Sequence, residues 1–244
     1  MKKLLLTVLT LTLIFSLSAV GLAQTYTVGT SAGFPPFEYV EDGEIVGFDI
    51  DLMKAIAEEM DFEVEFRDIA FDSLPSAVKT GNIDVIAAGM TITEEREKAL
   101  DFTESYYSAN QSIIVQEDSE MNISVLYGDH DISVQTGTTG DLWVTENLKD
   151  QGILTGDVQR YDTFVLCVSD LVNGNVDAVV LDEPVAERYA EMRPVKIVGV
   201  IVTGENYGLA VNEGNTELLE TLNEGLRKVR ESGKMDELVA KYFQ

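Results

Sequence analysis

Cysteine and histidine are almost absent from this 244-residue chain: one of each, Cys167 and His130. A lone cysteine excludes an intrachain disulfide and any Cys-x-x-Cys centre, and a lone histidine excludes a His-Glu-x-x-His zinc site. No Gly-x-Ser-x-Gly elbow occurs either. Basic residues are scarce: 17 Lys and Arg against 43 Asp and Glu. So acidic a chain repels nucleic acid and anionic lipid surfaces, which excludes those partners. No low-complexity linker or long charge block divides the chain, and five prolines with 45% hydrophobic residues fit a globular protein.

One apolar run exceeds the rest. Met1-Lys2-Lys3 gives a short basic start, uncharged residues follow from Leu4 to Ala23, and the small residues Gly21 and Ala23 stand three and one positions before Gln24. That layout reads as a secretory signal over residues 1–23, cleaved to release a soluble extracytoplasmic, periplasmic protein. A retained anchor is the competing reading, since about 20 apolar residues span a bilayer. No cysteine lies near the cut to carry a lipid. Cys167, within Phe164-Val165-Leu166-Cys167-Val168, reads as a buried small hydrophobe. His130, in Tyr127-Gly128-Asp129-His130-Asp131, reads as a surface residue.

Apolar β-type runs alternate with helical patterns, which predicts an α/β fold. Tyr26–Gly29 and the alternating Phe62–Phe66 read as strands. Asp49–Met60 reads as an amphipathic helix with Ile50, Met53, Ile56 and Ala57 on one face. Leu218, Leu219, Leu222, Leu226 and Val229 mark a C-terminal helical stretch from Thr216 to Tyr242, broken by Gly233. An internal echo joins two distant segments. Phe71-Asp72-Ser73 leads through a helical stretch to Gly81-Asn82-Ile83-Asp84-Val85-Ile86, and Tyr161-Asp162-Thr163 leads to Gly174-Asn175-Val176-Asp177-Ala178-Val179, with the second helix three residues longer. Each copy reads as N-cap, helix, glycine stop and buried strand. Two such units suggest two lobes of similar topology. Five positions past the aspartate of each copy stand Gly89 and Asp182, just beyond an apolar strand, where open α/β sheets bind ligands.

Several motifs occur in order: Phe34-Pro35-Pro36-Phe37-Glu38-Tyr39, Gly47-Phe48-Asp49-Ile50-Asp51-Leu52, Gly89-Met90-Thr91-Ile92-Thr93-Glu94-Glu95-Arg96, Asp101-Phe102-Thr103-Glu104-Ser105-Tyr106-Tyr107 and Asp182-Glu183-Pro184. Together they resemble the family 3 extracellular solute-binding proteins, which serve polar amino-acid ABC transporters. The resemblance covers essentially all the chain after residue 23. It implies a two-lobed α/β periplasmic-binding-protein fold of type II, with two crossover hinge strands near Gln111–Val115 and Asn206–Val211. Lobe 1 would comprise residues 24–110 and 206–244, and lobe 2 residues 111–205.

The implied function is capture of a free polar amino acid, neutral or basic, by a monomer that presents it to the membrane permease of an ABC importer, with no cofactor. The resemblance assigns the ligand carboxylate to Arg96, whose planar guanidinium suits it, to the backbone amide of Thr91 and to Thr138. It assigns the ammonium to Asp182, the Gly89 carbonyl and the Thr91 hydroxyl, and the side chain to Phe34 and Phe71. Ser31 stands where several basic-amino-acid and glutamine binders of the family carry aspartate, a departure that removes one anionic partner for a distal cation and weakens a lysine or arginine assignment; Gln135 sits where the second lobe often contacts the ligand side chain. Taken without the resemblance, Arg96 reads as a solvated helix residue, Asp182 and Thr138 as helix caps, and Phe34 and Phe71 as core. Glu38 either contributes charge or faces solvent. The alternative function is a cyclohexadienyl dehydratase-like enzyme on the same scaffold, although no carboxyl stands out as a general acid. A receptor's sensing module is disfavoured because the chain stops after its last helix.

Overall fold

The computed structural model describes residues 24–243; the segment read as a signal lies outside the described residues. In chain order the elements are β1 (Thr25–Thr30), β2 (Tyr39–Glu41), β3 (Glu44–Val46), α1 (Phe48–Met60), β4 (Glu63–Asp68), α2 (Leu74–Lys79), β5 (Val85–Ile86), β6 (Leu100–Phe102) and β7 (Tyr107–Gln116). There follow β8 (Ile132–Gln135), α3 (Thr139–Val144), β9 (Val158–Tyr161), α4 (Phe164–Val172), β10 (Ala178–Asp182), α5 (Glu183–Met192), β11 (Val195–Tyr207), β12 (Ala210–Asn212), α6 (Thr216–Glu231) and α7 (Lys234–Phe243).

These elements build two five-stranded sheets, ordered β4-β1-β5-β12-β6 and β11-β7-β10-β8-β9. In the first, β1 runs parallel to β4 and β5, while β12 is antiparallel to β5 and β6. In the second, β8 is parallel to β9 and β10, while β7 is antiparallel to β10 and β11. The long strands β7 and β11 carry the chain out of the first lobe and back. They pair Gln111 with Ile201, then Ala109 with Glu205 and Tyr107 with Tyr207, with a bulge between Ile201 and Glu205. The molecule is thus a two-lobed α/β periplasmic-binding fold with crossover strands linking its two sheets.

The helices form where apolar periodicity and stop signals dictate. In α1, Ile50, Met53, Ile56 and Ala57 are buried along with Leu52 and Ala55. Helix α6 turns Leu218, Leu222, Leu226 and Val229 inward, and Gly233, at φ 81°, separates it from α7. Fully burying each such leucine contributes about 1.5–3 kcal/mol. Leu219, read as part of that face, is only partly buried.

The internal echo is structural. α2 has six residues and α4 nine, and Gly81 and Gly174 end their helices at φ 73° and 74°. A left-handed residue stops a helix, and only glycine adopts that conformation without steric cost. The N-caps differ. Thr163 accepts the Leu166 amide, whereas Ser73 makes no side-chain cap, because a 3-10 turn over Phe71–Ser73 leads straight into α2. Cys167 is fully buried, and burial foremost pushes its thiol up to about 12. His130 keeps about a third of its side chain exposed at the surface, with Nδ1 3.2 Å from Asp177 Oδ2.

Candidate functional site

Parallel strands end with their carbonyl edges on one side, and the two sheets turn those edges toward each other. Ser31 follows β1, Phe71 follows β4, and Gly89 and Thr91 follow β5; Gln135 closes β8 and Asp182 closes β10. Between them lies a narrow cavity lined by Ser31, Phe34, Glu38, Phe71, Ala88, Gly89, Thr91, Arg96, Gln135, Thr138, Thr139 and Asp182. All nine residues singled out from the sequence are in that lining. Ala88 and Thr139 were not singled out, and Glu38 was left open.

Each side chain is placed by local structure. The Phe34–Phe37 turn is closed by the Phe37 and Glu38 amides, which donate to the Phe34 carbonyl at 2.9 and 3.1 Å. The turn buries Phe37 completely and lifts Phe34 and Glu38 to the cavity. Gly89 has φ +52°, and a Cβ there would stand 2.4 Å from Phe34 Cε1. A side chain at Gly89 would therefore expel the aromatic ring. Asp49, fully buried in α1, accepts the Gly89 amide at 2.8 Å and the Tyr106 hydroxyl at 2.6 Å. Neither Asp49 nor Tyr106 carries a sequence signal for this task, because the contact spans 40 residues.

Arg96 sits in a 3-10 turn and is no solvated helix residue. Its Nη1 donates to the Thr91 carbonyl at 2.7 Å, and its Nη2 crosses to the Gly137 carbonyl at 3.1 Å. The guanidinium carbon lies 5.2 Å from the centroid of the Phe71 ring, a cation–π geometry. Burial pulls its pKa down, while the charges of Glu205 and Asp182 oppose that shift. Phe34 stacks on Phe164 of the other lobe, with ring centroids 5.7 Å apart.

Opposite, Thr138 caps α3 by accepting the Asp141 amide at 3.2 Å. Asp182 precedes α5 but does not cap it. Its carboxylate instead accepts the Tyr207 hydroxyl at 2.6 Å and faces the cavity. Burial foremost, then the charge of Glu205, raises its pKa to about 7, against the pull of the Tyr207 hydrogen bond. Gln135 Nε2 donates to the Ser31 hydroxyl at 3.2 Å and to the Asp162 carbonyl at 2.8 Å. Glu38 is fully buried, and neither of its carboxylate oxygens has a hydrogen-bond partner. Burial foremost, then Asp49, Asp182 and Asp68, holds its pKa well above the usual carboxylate range.

One cavity therefore holds a cation on the first lobe and a carboxylate on the second. A further carboxylate and two aromatic rings stand beside them. A zwitterion presents the opposite charges to the first pair. Among the described residues no cluster of histidine, cysteine or carboxylate side chains has the form of a metal site, and no helix is long and apolar enough to cross a membrane.

Known proteins share this architecture. An ancestral arginine-binding protein solved with arginine superposes with a TM-score of 0.85 at 41% identity, covering 91% of this chain and 100% of that one. An ancestral arginine-binding protein bound to glutamine gives 0.84 at 41%, over 91% of this chain and 99% of that one. ABC transporter arginine-binding protein 1 of Escherichia coli (strain K12) is 33% identical over 250 residues, covering 100% of this chain and 99% of the relative. The profile of the bacterial extracellular solute-binding proteins, family 3, matches residues 26–244. With that match, and with relatives this similar over their full length, the chain belongs to the bacterial extracellular solute-binding proteins of family 3.

Proposed function

We propose that this protein captures a basic amino acid, arginine foremost, and hands it to the permease of an ABC importer. The protein is an extracytoplasmic substrate-binding component, not an enzyme, and its ligand is an amino acid. Arg96 receives the ligand carboxylate, with the Thr91 amide and Thr138 beside it. Asp182, the Gly89 carbonyl and the Thr91 hydroxyl receive the ammonium. Phe34 and Phe71 flank the side chain. The unit of closure is residues 24–110 with 206–244 against residues 111–205. Ligand bound first on Arg96 draws Asp182 and Thr138 over it, and favours the closed form only to the extent that those contacts exist there alone.

The observation that carries the choice of arginine is Glu38. A buried carboxylate with both oxygens unpartnered is costly unless a cation meets it. Ser31 leaves no charge where an aspartate would serve a basic ligand; Glu38 supplies one from the next turn of chain. Gln135 adds an amide that suits a guanidinium less than a carboxamide. Consistent with a cavity open to both chemistries, the solved relatives hold arginine in one case and glutamine in the other. A carboxyl raised toward neutrality also suits a general acid; a cationic ligand lowers it again, which is the reading the binding-protein relatives support.

Calorimetry of purified protein with arginine, lysine, histidine and glutamine tests the proposal. Arginine is expected to bind most tightly, and Glu38→Gln to weaken it by about 1.5–3 kcal/mol while sparing glutamine. Glutamine binding more tightly than arginine to the unaltered protein would refute it.

A further inference from the structure

One buried carboxylate outside the cavity lining joins both lobes. Glu205 stands on β11 just past the bulge, where the strand pairs with Ala109 in the crossover. It is only 8% exposed. Its Oε2 accepts the Thr91 hydroxyl at 2.7 Å and the Thr139 hydroxyl at 2.6 Å, and its Oε1 accepts Gln111 Nε2 at 3.0 Å. Thr91 follows β5 in the first lobe, and Thr139 opens α3 in the second. A single oxygen can take both hydroxyls only when the two lobes meet.

A hydroxyl has one proton and two lone pairs. Glu205 accepts the Thr91 proton, so the lone pairs of that oxygen are left for the cavity it lines with Gly89 and Asp182. Without the carboxylate, the proton is free to turn inward and meet a ligand ammonium donor to donor. We propose that Glu205 is the positioning residue of the ammonium site: it turns the Thr91 hydroxyl into an acceptor for the ligand α-ammonium and ties that acceptor to Thr139 across the closed cleft. The proposal rests on the reading that an amino acid fills the cavity. It is distinct from a purely structural role, because a structural role ignores whether the ligand carries an α-amino group.

The experiment compares arginine with 5-guanidinopentanoate, which lacks only that group. Both hydroxyls donate to the same Glu205 oxygen, so a glutamine could still accept them through its amide oxygen; Glu205→Leu removes the acceptor and releases both hydroxyls. It is expected to weaken arginine by about tenfold or more in calorimetry and to leave 5-guanidinopentanoate nearly unchanged in a competition titration. A thermal melt of the variant reports folding. Thr91→Val is the second variant: it should show the same dependence on ligand, and adding Glu205→Leu to it should cause little further loss for arginine. Equal losses for both ligands, or additive losses in the double variant, would overturn the proposal. Failure of the unaltered protein to bind arginine, lysine, histidine or glutamine would overturn the amino-acid reading itself, and is told apart by appearing before any substitution is made.

Discussion

The two walls of the cleft are unequal. Eight of the twelve lining residues come from the first lobe and four from the second. The first wall holds Arg96, both phenylalanines and Glu38; the second brings Asp182, Gln135 and two threonines. A wall with the carboxylate-binding cation and the aromatic faces can hold a ligand alone. A wall offering one carboxylate and a few polar groups can only complete a site already occupied. On the proposed reading, the inequality makes the first lobe the landing surface and the second the lock. The lobes also touch each other directly. The Tyr189 hydroxyl of α5 donates to the Gly33 carbonyl at 3.0 Å, and Phe34 stacks on Phe164. Such contacts set how readily the cleft closes, whatever fills it.

Removing the landing cation is the strongest way to break that division of labour. Arg96→Ala is expected to cost about 2–5 kcal/mol of binding, with the association rate falling too, because no other cation lines the cavity. Normal arginine affinity in this variant would end the case for the site. Asp182→Asn is expected to cost less, about 1.5–3 kcal/mol, and to act on the dissociation rate, as befits a lock. Stopped-flow fluorescence separates the two. If Asp182→Asn slowed association as much as Arg96→Ala does, the landing-and-lock distinction would fail.

The same carboxylate makes a pH prediction. Asp182 and Asp49 are both raised to about 7 by burial, against the usual value of 3.8. The folded chain therefore holds protons between those values that the unfolded chain has lost. The stability these two groups contribute is greatest below the lower value and declines as pH rises toward 7. Arginine binding should in turn weaken below pH 7, where Asp182 is protonated and the ammonium loses its partner. Burial and then the charge of Glu205 hold the transition there, and the hydrogen bonds from Tyr207 and Gln111 oppose them. Melting curves from pH 5 to 8 check the first statement. Affinities across the same range, flattened in Asp182→Asn, check the second.

The smallest expected effect probes closure alone. Tyr189→Phe removes the hydrogen bond to Gly33 and touches nothing in the cavity lining. About 0.5–1.5 kcal/mol of closing energy should vanish, lowering arginine and glutamine affinity by the same factor. A change in their ratio would mean that Tyr189 shapes the cavity rather than the hinge motion.

Much of this was legible from residue order. The periodicity of α1 and α6, the glycine stops at 81, 174 and 233 and the duplicated helix-glycine-strand unit depend on neighbours a few positions apart, which a sequence displays directly. Five of the nine cavity residues lie in the ordered motifs, and the resemblance those motifs carry supplied Ser31, Phe71, Gln135 and Thr138. Read one at a time, Asp182 was as good a cap as a ligand, and Arg96 as good a surface residue. Glu38 stayed open because only the folded chain buries it; Asp49, Tyr106, Glu205 and Tyr207 escaped for one reason. Their partners lie far along the chain: Asp49 reaches Gly89 and Tyr106, and Glu205 reaches Thr91 and Thr139. A glutamate in a β-run and a tyrosine on a crossover strand look the same whether they face solvent or a buried carboxylate.

By itself, then, the sequence determined the elements, their pairing into two lobes and the motifs of a solute-binding protein, because helix and strand preferences and turn chemistry are local. The tertiary structure decided which charges are buried together. Burial is what moves a carboxyl toward neutrality, leaves Glu38 without a partner and turns the Thr91 hydroxyl, and burial exists only once distant segments of the chain have closed over one another.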